Sequence, residues 1–269
     1  MIATAQRIGA LARLTFIDGI RRRALLGLFL LAVAVEIAGL FFFNFVPRDI
    51  GRVLVDYVVT IGWAAGMLYL LFHAVQVLSW GEDRRVIQTL LAHPISRTEY
   101  VLGVFCGLLG LLLVLNLLLA LLGYGVLLAV KASVGASYFS YLGVAPYLLA
   151  WFGVLLVEML LLAVIALFSG LVRGGFSVLL LTVAYYLICN GLNVAKEFVK
   201  DGSAISYQLL TALTFVFPDI NRWDYKGLVV MLEGMPSFGA LLFDVTYAAL
   251  YCVLALALAA WVYRSRDIK

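Results

Sequence analysis

From Tyr100 to Val130 the chain runs 31 residues without an Asp, Glu, Lys, Arg or His. Coiled as a helix at about 1.5 Å per residue, a run of that length exceeds the ~30 Å hydrocarbon core of a bilayer. In water its backbone could be satisfied, but nothing along it would face solvent favourably. The same pattern recurs. Charge-poor runs bounded by charged or turn residues lie at about 24–45, 54–79, 142–171, 175–198 and 239–263, which with 100–129 makes six predicted spans. The longest must tilt or project beyond the bilayer. A further apolar stretch, 204–217, is short for a crossing before Pro218 and reads as an interfacial or re-entrant helix.

Only 13% of the 269 residues are charged and 65% are apolar, with a mean hydropathy of +1.09. A soluble domain is roughly a quarter charged, so a water-soluble enzyme is excluded. Spans and short loops use up the length, and residues 1–269 read as one all-α, polytopic membrane domain.

Orientation follows from Lys and Arg near the span ends. With six spans both termini share a side, and twelve of the nineteen basic residues fall there: Arg7, Arg13, Arg21, Arg22, Arg23, Arg84, Arg85, Arg97, Arg173, Arg264, Arg266 and Lys269. Both termini are therefore expected in the cytoplasm. Residues 1–23 mix Ile8, Leu11, Leu14, Phe16, Ile17 and Ile20 with Arg13 and Arg21–Arg23, the composition of a helix at the cytoplasmic interface or of a basic stop that fixes topology. The basic region is too long and the apolar run too extended, interrupted by Glu36, for a cleaved signal. Cys106, Cys189 and Cys252, odd in number and each within a span, read as small buried packing residues.

The scarce polar residues can be audited for chemistry. The two histidines, His73 and His93, form no H-E-x-x-H, no G-x-S-x-G elbow occurs, and Glu36, Glu158 and Asp244 lie on different spans without a motif. None of the five lysines follows a glycine, so the P-loop is absent. No metal site, cofactor or catalytic residue is expected on this chain, nor any nucleic-acid partner. If ATP drives it, ATP and Mg²⁺ belong to another polypeptide.

The loop between spans two and three carries the most information. It opens with Glu82 and Asp83, which suit a helix N-terminus. Arg84, Arg85, Val86, Gln88, Thr89, Leu90 and Leu91 follow, and Pro94 ends a helix of about three turns. Ser96 and Glu99 then form a predicted capping box for the third span. An apolar row at Val86, Leu90 and Leu91 beside a polar row could fit a groove on a protein partner, or the segment could simply be a well-capped turn.

The pattern Glu82, Arg84, Thr89-Leu90-Leu91, Pro94-Ile95-Ser96-Arg97, Tyr100 and Gly103 resembles the coupling-helix region of ABC-2 type permeases, the membrane subunits of one class of ABC exporters. The resemblance extends to a basic interfacial helix before span one, marked by Arg13, Phe16 and Arg21–Arg23. It includes a short helical extracytoplasmic segment between spans five and six containing Phe217-Pro218-Asp219-Ile220-Asn221-Arg222-Trp223-Asp224, and a basic-acidic tail. One departure is Val104 after Gly103, where the family often has a basic residue. The resemblance implies a homodimer of permeases in the inner membrane of a prokaryote. Two separate P-loop ATPases would dock on the 82–97 coupling helices, with Glu82, Asp83, Arg84, Arg85, Thr89, Leu90, Leu91, Pro94 and Arg97 at that contact. Alternating access would then move substrate out of the cytoplasm or inner leaflet.

Glu36, His73 and Glu158 are the candidate transport-path residues, since a polar group at such depth must meet a cavity, a substrate or a partner helix. For the two glutamates a path role and an interhelical hydrogen bond are both open, and for His73 packing is the simpler reading. Two other classes remain: a secondary transporter without ATP, and a permease-like scaffold transmitting force to an extracytoplasmic partner.

Overall fold

A computed structural model of the chain describes residues 2–42, 50–83, 96–139, 142–199, 204–230 and 234–265. Among these residues the chain is helical throughout, with no strand. Helices α1 (Ile2–Arg21) and α2 (Ala24–Phe42) are followed by α3 (Ile50–Leu68), which passes through a π-helical turn, Tyr69–Ala74, directly into α4 (Val75–Asp83). Then come α5 (Arg97–Val134), α6 (Val144–Leu171), α7 (Gly175–Val199), the short α8 (Ala204–Leu213), α9 (Gly227–Val230) and α10 (Phe238–Ser265).

Among the described residues, five helical stretches are long and apolar enough to cross a bilayer: Ile50–Ser79, Arg97–Val134, Val144–Leu171, Gly175–Lys196 and Phe238–Ser265. Thr4–Arg21 and Leu25–Phe41 pass the same test only together, as one span bent by 54°. The described residues thus hold five or six stretches of membrane-spanning length, as in a multi-pass membrane protein. Helix α8 has ten residues, about 15 Å, and is too short to cross.

Four of the expected spans, 54–79, 100–129, 175–198 and 239–263, lie within helices that run past them, whereas 142–171 begins two residues before α6 and positions 43–45 of the first lie outside the described residues. Residues 54–79 lie within a rod from 50 to 83, and 100–129 within 97–134. One consequence corrects the reading of the loop. Glu82 and Asp83 occupy the last turn of α4 instead of opening a new helix, because the lone Gly81 between them and the span costs only about 1 kcal/mol and does not break it. Residues 84–95, including Arg84, Arg85, Thr89, Leu90, Leu91 and Pro94, lie outside the described residues.

Helices α5 and α6 form the centre. One stripe of α5, Leu108, Leu111, Leu112, Leu115 and Leu119, is completely covered, as is the run Leu160–Ala166 of α6. The face of α3 that meets them carries Leu54, Val55, Val58, Val59, Gly62 and Gly66. Apolar side chains gain little from leaving lipid, so small residues that admit close approach do the work of association. Gly103 and Gly107 of α5 show this: a Cβ at Gly107 would stand 2.7 Å from the Ala12 carbonyl oxygen and 2.6 Å from Thr15 Cβ. Helix α1 is laid into that groove. Leu11 meets Gly103, Thr15 meets Gly107, Phe16 meets Gly110 and Gly19 meets Leu111, so α1 runs alongside α5 in the same direction. The N-terminal helix therefore does not lie across the helix ends; small residues on α5 draw it lengthwise onto the bundle. Cys189 and Cys252 are buried as expected, whereas Cys106 faces outward from α5.

Candidate functional site

The expected capping box is present: Ser96 Oγ accepts from the Glu99 amide at 3.2 Å, and the Glu99 carboxylate accepts from the Ser96 amide at 2.8 Å. Both partners are set by a three-residue spacing, so this feature needs no tertiary context. Arg7 of α1 reaches Glu99 at 3.6 Å. Arg97, one of the residues expected at a coupling contact, donates to the carbonyls of Tyr263 (3.1 Å) and Arg264 (3.4 Å), which ties the end of α10 to the start of α5. Ser169 and Tyr263 share a hydrogen bond at 2.9 Å at the same end of the bundle.

On the N-terminal helix Arg13 is exposed and Phe16 packs half-buried against the core. Arg21, Arg22 and Arg23 form the exposed elbow between α1 and α2, where Arg22 pairs with Asp18 at 2.7 Å.

The three candidate path residues all point inward. Glu158 is fully buried at the centre of α6, where Asn116 Nδ2 donates to its Oε2 at 2.6 Å and its Oε1 lacks a partner. Only glycine fits opposite, since a Cβ at Gly66 of α3 would overlap the Glu158 carboxylate. Glu158, Asn116 and Gly66 thus join three helices at one level. Glu36 is 2% exposed on α2 and neither of its carboxylate oxygens has a partner. Beside it, the Tyr57 hydroxyl donates to the Val35 carbonyl at 2.6 Å, binding α2 to α3. His73 stands in the π-helical turn, its ring 5.3 Å from that of Tyr69, with Nε2 buried and unpartnered. Such turns misalign backbone bonds and often mark functional positions in long helices.

At the end of the bundle opposite Arg97 lies a cavity of about 300 Å³ between α3, α6 and α7, covered by residues 220–226. Thr60 and Trp63 wall it on α3, Val154 and Val157 on α6, Tyr186 and Asn190 on α7. Trp63 and Tyr186 rings approach to 5.9 Å. In the cover, Asn221 Nδ2 donates to the Asn190 carbonyl at 3.2 Å, and the Lys226 ammonium lies 3.4 Å from Asp56 and 4.0 Å from Asp224. The cavity is amphipathic, with aromatic and aliphatic walls and amides, a hydroxyl and a neutralised ammonium at its mouth.

Sequence reasoning passed over the group that holds this cover down. Asp244, in the second turn of α10, accepts from Arg222 Nε and from the Tyr225 hydroxyl at 2.7 Å, while Trp223 Nε1 donates to its backbone carbonyl at 3.2 Å. Arg222 also lies 4.5 Å over the Phe243 ring. Burial, and then the adjacent Asp244, push the Tyr225 hydroxyl above its usual range, so it remains a donor. The available signal was a span acid without a partner near one end of α10 and an Arg-Trp pair in the preceding connection.

In comparisons with known proteins, no protein-family model matches the chain and no curated protein matches it significantly.

Proposed function

We propose that the chain is the membrane permease subunit of an ABC-2 type exporter, acting as a pair and driven by a separate P-loop ATPase docked on residues 82–97. The observation that carries this reading is mechanical. The helix that delivers Glu82 and Asp83 to the loop is the same continuous rod, 50–83, whose Thr60 and Trp63 wall the cavity at the far end. A push on the loop reaches the cavity without crossing a flexible joint except the π-helical turn at Tyr69–Ala74.

The other flank of the loop is equally rigid. Helix α5 begins at its capping box immediately after the loop and is clasped to α6 through Asn116 and Glu158. Displacing the two rods relative to one another would shift Gly66 against Glu158 and alter the cavity's walls, a differential interaction of the kind that coupling requires. In this reading the basic residues place both termini in the cytoplasm of a prokaryote, the cavity faces outward, and Glu36 and Glu158 are the polar points of the path. ATP and Mg²⁺ are held by the partner.

The test is uncoupling at the loop. Leu90→Asp and Leu91→Asp, made singly, leave the chain in the membrane at normal amount but abolish stimulation of the partner's ATP hydrolysis. Normal stimulation by both variants would refute the docking site.

A further inference from the structure

We infer that the cavity between α3, α6 and α7 binds a compact organic cation, a protonated or quaternary amine carrying an apolar body of one or two rings. Three properties of the cavity select that chemistry. The first is size: about 300 Å³ is at the small end of ligand pockets, room for a small ring compound and far short of a phospholipid or a stretch of polymer. The second is the aromatic wall. Trp63 of α3 and Tyr186 of α7 both line the cavity while only partly buried, and their rings, 5.9 Å apart and tilted by 39°, form a corner instead of a closed stack. The electron-rich face of an aromatic ring attracts a cation, indole most strongly, and the attraction grows where water is displaced. An anion gains nothing from such a face.

The third is charge. Among the described residues Lys226 is the one base in the lining, and its ammonium is already shared by two carboxylates, Asp56 of α3 at 3.4 Å and Asp224 at 4.0 Å. Two acids against one base leave the mouth with a net charge of −1, and the ammonium is not free for an anionic ligand. Neither neighbouring arginine alters this. Arg222 of the cover is held by Asp244, and Arg52, one turn from Asp56 on α3, is exposed and forms no ion pair with it. The Asp56 and Asp224 side chains are 55% and 54% exposed, so either can turn to a second cation. Lys226 therefore marks the position as a tethered ammonium held by two carboxylates at the mouth of an aromatic-walled cavity, and a free cation would take over one of its two partners. The Thr60 hydroxyl and the Asn190 and Asn221 amides are neutral and serve the ligand's N–H or O–H groups, while Val154 and Val157 meet its apolar body. That the bound cation is exported cargo rests on the permease reading above; that it binds does not.

The test is isothermal titration calorimetry of the full chain in phosphatidylcholine nanodiscs, without ATP or any partner and with empty nanodiscs subtracted. Benzyltrimethylammonium is the probe, and benzenesulfonate and benzyl alcohol are anionic and neutral compounds of similar size. Wild type binds benzyltrimethylammonium about tenfold more tightly than either. Trp63→Leu and Asp224→Asn each weaken that binding by about tenfold, whereas Trp63→Phe, which keeps a ring, loses less. Asp18→Asn, which removes an exposed carboxylate of α1 outside the cavity lining, leaves it unchanged. Lys226→Gln removes the tethered competitor and strengthens binding a few-fold, a gain that a folding defect cannot mimic. A chain that binds the cation but brings down no ATPase would refute the exporter reading alone, and a chain that docks its ATPase but does not bind the cation would refute this site alone. Equal affinity for the three compounds, wild-type binding in Asp224→Asn or Trp63→Leu, or weaker binding in Lys226→Gln would overturn the cation site.

Discussion

Removing the Asp244 carboxylate should release the cavity's cover without unfolding the bundle. In Asp244→Ala the bond from Trp223 to the residue 244 carbonyl survives, because it uses the backbone. What is lost is the Arg222 pair and the acceptor for Tyr225. The two losses differ. The Arg222 side chain is 44% exposed and can turn to water, so its share is about 1 kcal/mol or less. Tyr225 is 8% exposed, and a buried hydroxyl without an acceptor is worth about 1–3 kcal/mol. Together the cover loses roughly 1–4 kcal/mol of local anchoring, which raises its open population about five- to several-hundredfold. Hydrogen exchange read by mass spectrometry on the chain in nanodiscs measures this directly. Peptides covering 220–229 should exchange faster by that factor, while peptides from the buried stripe of α5 keep wild-type protection. Tyr225→Phe, which removes the orphaned hydroxyl along with its bond, should accelerate exchange less than Asp244→Ala does. Unchanged exchange in 220–229 would refute the latch, and uniform acceleration across α5 and α6 would show that Asp244 supports the whole bundle instead.

Three further outcomes follow from the packing. Glu158→Gln keeps an acceptor for Asn116 and should shift thermal unfolding in detergent by the equivalent of about 1 kcal/mol or less, whereas Asn116→Leu strands the carboxylate and should cost about 2–3 kcal/mol; equal damage from the two would mean that a charged Glu158 is required. Gly107→Val drives a side chain into Ala12 and Thr15, and α1 should lose protease resistance ahead of the rest of the chain at a cost of about 1–3 kcal/mol; an α1 as resistant as wild type would contradict its seating on α5. Ser96→Ala removes one half of the capping box and should destabilise the start of α5 by about 1 kcal/mol, seen as faster exchange at residues 97–100 only.

The parts of the fold that were legible in the sequence were those set by neighbours along the chain. Charge-free runs located the long helices, and Ser96 with Glu99 announced a cap because a capping box is complete within four residues. Helix ends were less legible. Nothing between Trp80 and Asp83 stops a helix, so α4 carries on to two acids that, taken alone, look like the start of another one. The docking of α1 was hidden for a different reason. Its apolar residues serve two faces, Leu11 and Phe16 turned to the glycines of α5 and Leu14, Ile17 and Ile20 turned outward, which blurs the single stripe that an interfacial helix would show. Burial of Glu36 and Glu158 could be foreseen from their depth, but Glu158's partner could not, since Asn116 is 42 residues away. Asp244 was legible only as an unassigned acid, because its meaning depends on Arg222 and Tyr225 folding back across 22 and 19 residues.

The proposed function stands or falls on the motor that the chain lacks. The direct measurement is purification of the full chain from its native membrane in mild detergent, with quantification of every copurifying polypeptide and of ATP hydrolysis by the preparation. A permease of this kind brings down a P-loop ATPase at one copy per chain, with hydrolysis that disappears when Leu90 and Leu91 are both replaced by Asp. A preparation without a stoichiometric ATPase, or one whose ATPase stays bound and active in the double variant, would contradict it.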